Sequence, residues 1–326
     1  MPHFAMSRPI LGPLTPSRNS DYRGGMRRRG FGAAFATAFA AAGAAAVWSA
    51  APAQAGVAKP APGPESTPVG YDVSWPQCGD TPPSGQAFAV VGVTGGLANN
   101  TNPCFAEQLA WARTSVGGAG QPPAALYVNT ANPGLRGSWW PTSNSYREVL
   151  VDNPYGTCTG EVDAACAYVY GWAKAYDNVA DRGVPEPSSY LWWLDVETEN
   201  TWQDDQDANR ADLEGMTAYL ESIGARVGLY SVGDQWDAIV GTVPPASNLY
   251  DLPSWLAGAH TLWGALSACS LPPLTEGGRV TLTQYVADEL DHNYSCVSPA
   301  ASAPPEREAA DSAGGSEHGH ERPGGQ

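Results

Sequence analysis

The sequence predicts an α/β protein whose single domain closes into a β/α barrel stapled by disulfides. Three observations carry that expectation: strand-like and helix-like segments alternate, the strand-like runs are apolar on both faces, and all six cysteines lie beyond an export signal. Alternation of strands with helices implies a parallel sheet. A run such as Phe88-Ala89-Val90-Val91-Gly92-Val93 has no polar face, as a strand covered by helices on one side and core on the other requires. The competing arrangement, an open doubly wound sheet, commonly carries a glycine-rich phosphate loop after its first strand, and Gly92-Val93-Thr94-Gly95-Gly96 lacks that spacing.

Strands are expected over residues 70–75, 87–94, 124–129, 190–196, 226–232, 254–257 and 280–286, where β-prone residues run between turn formers. Helix-like apolar spacing occupies 104–115, 162–181, 209–223 and 235–240. No internal repeat interrupts the block 69–297, which reads as one domain. Residues 56–68 form a linker rich in Pro and Ala, and 298–326 a tail of similar bias; neither has the composition to bury a core, so both read as disordered.

Residues 1–55 hold an N-terminal extension and signal peptide. Arg27, Arg28 and Arg29 precede an apolar, alanine-rich run from Phe31 to Trp48, and Ala53-Gln54-Ala55 supplies a small-residue cleavage site. Residues 1–25 read as a long basic region or as translation from too early a start, with Met26 the natural beginning. Beyond residue 55 the chain carries 11 basic against 32 acidic side chains, a net charge of −21. Such a charge repels phosphate backbones and anionic lipid, so nucleic acid and, after signal cleavage, membrane are excluded as partners. An extracellular or cell-wall glycan remains, met by a secreted monomer. An even cysteine count in an oxidising compartment implies three disulfides. Sequence proximity favours Cys78 with Cys104, Cys158 with Cys166 and Cys269 with Cys296. With no C-x-x-C pair and few histidines, no metal site is expected.

The chemistry concentrates at Tyr190-Leu191-Trp192-Trp193-Leu194-Asp195-Val196-Glu197, an apolar strand ending in acids. Side chains alternate along a strand, so Asp195 and Glu197 share a face. In a parallel barrel the C-terminal strand ends carry the catalytic loops, and neighbouring like charges there raise one carboxyl's pKa, which makes a proton donor. Taken alone, the D-x-E pattern favours a cap on the next element or an arginine partner over a catalytic role. Weight is added by Asp72 in the first strand and Asp291 near the chain's end, since first and last strands are neighbours in a closed barrel. His292 lacks any accompanying nucleophilic serine motif and reads as a surface or a hydrogen-bonded histidine. Aromatic residues in or near strand ends and loops (Trp75, Trp139, Trp140, Trp192, Trp193, Trp202) offer faces on which sugars stack. Trp139-Trp140, between Gly137 and Pro141, is the preferred ligand pair, and at least one of Trp192 and Trp193 is assigned to the core.

The opening Gly70-Tyr71-Asp72-Val73-Ser74-Trp75-Pro76-Gln77, the apolar second strand, the D-x-E, the Tyr230-Ser231 strand before Trp236 and the closing Gln284, Tyr285, Asp291, Asn293 occur in one order. In these the chain resembles glycoside hydrolase family 25, lysozymes that cut peptidoglycan between N-acetylmuramic acid and N-acetylglucosamine. The resemblance implies an irregular TIM-like barrel and a cofactor-free glycosidase. In it Glu197 would be general acid/base, Asp195 would orient or stabilise the acetamido group or intermediate, and Asp72 and Asp291 would complete an acidic cleft. Trp75, Tyr127, Asn129, Trp139, Trp140, Tyr230, Gln284 and Tyr285 are the expected substrate contacts. The chain departs from the family where K-A-T-E-G would be read, having Gly92-Val93-Thr94-Gly95-Gly96, where Y-H-F would be read, having Tyr127-Val128-Asn129, and where tryptophan precedes Gln284, having Thr283. A non-catalytic glycan-binding or cell-surface protein on the same barrel is the alternative.

Overall fold

Eight strands close on themselves in the computed structural model, which describes residues 69–288 and 290–297. The expected signal peptide, linker and tail lie outside the described residues. In chain order the elements are β1 (Val69–Val73), β2 (Ala89–Gly92), α1 (Phe105–Ala112), β3 (Ala124–Asn129), a small hairpin β4 (Ser145–Tyr146) and β5 (Val149–Leu150), and α2 (Ala164–Ala180). Then follow β6 (Leu191–Asp195), α3 (Gln206–Ser222), β7 (Arg226–Ser231), α4 (Gly233–Ile239), β8 (Pro253–Ala259), α5 (Leu262–Ala268), β9 (Arg279–Ala287) and β10 (Leu290–Ser295). Around the barrel the order is β1-β10-β9-β8-β7-β6-β3-β2.

The sheet is not wholly parallel, which corrects the expectation. β10 runs antiparallel to both β9 and β1, while the remaining pairs are parallel. Its sequence, Leu290-Asp291-His292-Asn293-Tyr294-Ser295, lacks an apolar β run, so it carried no strand signal. It is a strand because two open edges, β9 and β1, offer it backbone partners. Helix α5 and the β4–β5 hairpin were likewise not read; both are short.

Alternation along the strands separates two apolar layers. Phe88, Trp193, Trp255 and Leu282 fill the barrel interior, whereas Val91, Leu126, Trp192, Leu194 and Leu229 face the helices with Leu213, Met216 and Leu220 of α3. Trp192 and Trp193 thus point to opposite faces, and both are fully buried. Trp193 fits because its neighbour on β7 is Gly228, where a Cβ would lie 2.4 Å from the indole ring.

The disulfides pair as expected: Cys78–Cys104, Cys158–Cys166 and Cys269–Cys296. The first ties the segment after β1 to the start of α1, and the last ties the end of α5 to the end of β10. Loops of 26 and 27 residues are closed, each stabilising by about 3 kcal/mol through lost unfolded-chain entropy.

Helices α2 and α3 pack at the closest distance glycine allows. A Cβ on Gly171 would fall 1.8 Å from the Asp212 carbonyl oxygen, and one on Gly215 would fall 2.0 Å from that of Tyr168. Asp212 is itself fully buried, and neither carboxyl oxygen has a hydrogen-bond partner. Burial raises its pKa well above the usual carboxylate range, with Lys174 opposing only in part. Since the folded value exceeds the unfolded one, the folded state binds the extra proton and this stability is lost as pH rises above about 4. Urea unfolding of Asp212→Asn is therefore expected to show a shallower loss of stability with rising pH than wild type, the difference reaching up to about 1.4 kcal/mol per pH unit. Equal slopes would contradict this account of the seam.

Candidate active site

An open cavity of about 290 Å³ lies at the barrel mouth formed by the C-terminal ends of the parallel strands. β1 contributes Asp72, β3 Tyr127 and Asn129, the end of β6 Asp195 and then Glu197, β7 Tyr230, and β9 Gln284. Asp291 sits at the beginning of β10, and reversal of that strand brings its start to the mouth where the others end. Asp72 and Asp291 are direct register neighbours, as are Asn129 and Asp195, and Asp195 and Tyr230. Four acids from distant parts of the chain therefore share one cavity. No lysine or arginine lines it.

Asp72 and Asp195 are held by amides rather than by cations. Gln284 donates its amide to both Asp72 oxygens at 3.0 and 3.2 Å, and Asn293 donates to one of them at 2.6 Å. Tyr230 donates its hydroxyl to Gln284 Oε1 at 2.9 Å, which fixes the amide with its nitrogen toward Asp72. Asn129 donates to Asp195 Oδ2 at 2.5 Å. Thr94 in turn donates to Asn129 Oδ1 at 2.8 Å and accepts from the Asn129 backbone N–H at 2.9 Å.

Burial shifts all four carboxyls upward. Desolvation, reinforced by Asp291, raises Asp72 to about 7 against the lowering pull of the Gln284 and Asn293 donors. Asp195 is raised by burial and then by Glu197, while Asn129 opposes. Glu197, half-buried at the rim, is raised by burial and then by Glu199, and lowered by contacts with Asp195 and Tyr230. Asp291 is raised by burial and lowered by His292. Carboxyls kept protonated toward neutral pH beside ionisable partners can give and take protons at a bound molecule.

Of the expected contacts, Trp75, Tyr127, Asn129, Tyr230 and Gln284 reach the cavity. Trp75 is 49% exposed and forms part of the rim beside Gly96. Tyr127 occupies space opened by Gly92, where a Cβ would stand 2.7 Å from the tyrosine ring. Three expected contacts are not there. Trp139 and Trp140 stack on Tyr170 of α2, and the Trp140 ring N–H donates to the Glu161 carbonyl. Their place is a separate apolar cluster against α2. Tyr285 points away from the mouth, stacked on His292 at 5.0 Å, because strand alternation sends Gln284 inward and its neighbour outward. The His292 ring nitrogen lies 3.2 Å from the Ala287 carbonyl oxygen, as a hydrogen-bonded histidine would. Trp202 donates to the Glu197 carbonyl and packs on the outer core. Sequence reading missed Trp255 in the cavity wall and the supporting roles of Thr94 and Asn293. The available signal was a polar residue closing an apolar run, as Thr94 does.

A family profile described as "Lysozyme-like protein 1" matches residues 173–260, a stretch containing Asp195, Glu197, Tyr230 and Trp255. Among curated proteins, "Probable GH family 25 lysozyme 4" of Dictyostelium discoideum is 40% identical over 65 residues, 20% of this chain and 29% of that one. "Probable GH family 25 lysozyme 2" of the same organism is 29% identical over 107 residues, 32% of this chain and 42% of that one. The chain thus matches less than half the length of either relative. Similar solved structures include a bacterial lysozyme from Streptomyces coelicolor, with 17% identity, 72% of this chain and 94% of that one covered and a TM-score of 0.45. A muramidase from Trichobolus zukalii has 16% identity, 70% and 92% coverage and a TM-score of 0.45. Over the stretches that match, the chain is similar in sequence to glycoside hydrolase family 25 lysozymes, the family that its own motifs resemble.

Proposed function

We propose that the protein is a secreted glycosidase that hydrolyses peptidoglycan or a related N-acetylated glycan by carboxylate acid/base catalysis. The observation that carries this reading is the gathering of Asp72, Asp195, Glu197 and Asp291 around one open cavity with no cation among its lining residues. Glycoside cleavage needs a protonated carboxyl beside the scissile oxygen and negative charge near the oxocarbenium-like centre. Glu197, at the rim with its pKa raised, suits proton donation to a departing sugar oxygen. Asp195, buried and fixed by Asn129, suits orientation of the acetamido group or of the positive centre. Trp75 offers an exposed ring for stacking of a sugar at the rim. The three disulfides fit folding in an oxidising compartment outside the cell.

Asp72 works at the boundary of ionisation. With a pKa near 7, it presents a carboxyl O–H in mildly acid solution and a second negative charge in alkaline solution. Alkaline loss of activity would follow from charge accumulating in a cleft that also needs Glu197 protonated.

Two measurements test this reading. Glu197→Gln should lower reducing-end release from purified peptidoglycan by about 10²- to 10⁴-fold with its unfolding transition unchanged. Undiminished release would remove Glu197 from the role, and glycan binding by wild type without release would favour the non-catalytic alternative. Carbon-13 titration of the Asp72 carboxyl should give a midpoint near 7. Asn293→Ala, which removes a donor to the ionised form, should move it up by about one unit. An unmoved midpoint would contradict the assigned hydrogen bond.

A further inference from the structure

Thr94 is fully buried beside the cavity-lining Asn129, and its hydroxyl is committed twice to that one residue. It accepts from the Asn129 backbone N–H and donates to the Asn129 side-chain oxygen. The second bond decides which end of the Asn129 amide faces Asp195. With its oxygen taken by Thr94, the amide presents Nδ2 to Asp195 Oδ2. The reversed amide would set its oxygen against Asp195 Oδ2 and lose the proton of Thr94 as well.

The orientation matters for where a proton can sit on Asp195. An Asp195 Oδ2 that already receives an N–H cannot also carry a hydrogen in the same direction. Asp195 Oδ1 is buried and has no hydrogen-bond partner among the described residues, and Glu197, two residues further along, lines the same cavity. We infer that Thr94 is a positioning residue: acting through the Asn129 amide, it confines the proton of the Asp195–Glu197 pair to Asp195 Oδ1 and Glu197. This rests on the reading of those two acids as the working pair of the cleft. Thr94 keeps the threonine of the K-A-T-E-G pattern, whereas Asn129 falls where the chain departs from Y-H-F, so the pairing joins a residue the pattern shares to one it does not.

The test is direct titration of the Asp195 carboxyl by carbon-13 spectroscopy, which needs no turnover. Thr94→Val keeps the shape and frees the amide to reverse, and the Asp195 midpoint should rise by about one unit or more as its donor is lost. Thr94→Ser, which retains the hydroxyl, should restore the wild-type midpoint. Asn129→Ala supplies an independent arm should the valine variant fold poorly. It should raise the midpoint by itself, and adding Thr94→Val to it should move the midpoint no further. An unchanged midpoint in folded Thr94→Val or in Asn129→Ala, or additive shifts in the double variant, would overturn the inference. Wild-type protein that releases no reducing ends from peptidoglycan would instead count against the proposed activity, and the titration would still decide the role of Thr94.

Discussion

The structure depends on the backbone pairing of one mostly polar strand, β10, between the two edges that β9 and β1 would otherwise leave open. Unpaired strand edges present rows of unsatisfied N–H and C=O groups, and a closed barrel removes them. Because β10 enters antiparallel, its first residues stand at the mouth where the parallel strands finish. That reversal brings Asp291 beside Asp72 and lets Asn293 reach the Asp72 carboxyl. The Cys269–Cys296 disulfide then ties the end of the same strand to α5. Closure of the barrel and assembly of the acidic cavity are one event.

Inside the cavity the electrostatic problem is solved without cations. Four carboxyls close together in a partly dehydrated space cannot all be ionised near neutral pH. Lysine or arginine partners would lower their pKa values and fix them as charges. Amide donors from Gln284, Asn293 and Asn129 do something milder: they orient the carboxyls and offset part of the desolvation, yet leave them titratable. The amides are themselves oriented by hydroxyls, Tyr230 for Gln284 and Thr94 for Asn129. Asp72 and Asp195 are therefore each supported by a second layer whose hydrogen bonds run in one direction, which is what holds a proton-transfer site in a defined state.

The departures from the family pattern have visible structural consequences. At Gly92, where the family pattern would read lysine, the missing side chain leaves room that the Tyr127 ring fills. Asn129, at a position where the family pattern differs, contributes the amide that Asp195 receives. The aromatic pair Trp139-Trp140 went elsewhere because α2 offers Tyr170 and an apolar face on which to stack.

Local chemistry alone determined a good part of this protein. Short apolar, β-prone runs located seven of the barrel strands, since burial on both faces leaves a continuous apolar signature. The D-x-E at the end of β6 announced Asp195 and Glu197 on one face, and cysteine proximity gave the three disulfide pairs. Only the tertiary structure decided the rest. The strand character of β10 came from the edges it joins and not from its own residues. The outward turn of Tyr285 followed from the register that places Gln284 inside. The roles of Thr94 and Asn293 arose from contacts across 35 and 221 residues of chain, and separations of that length leave no trace in any local pattern.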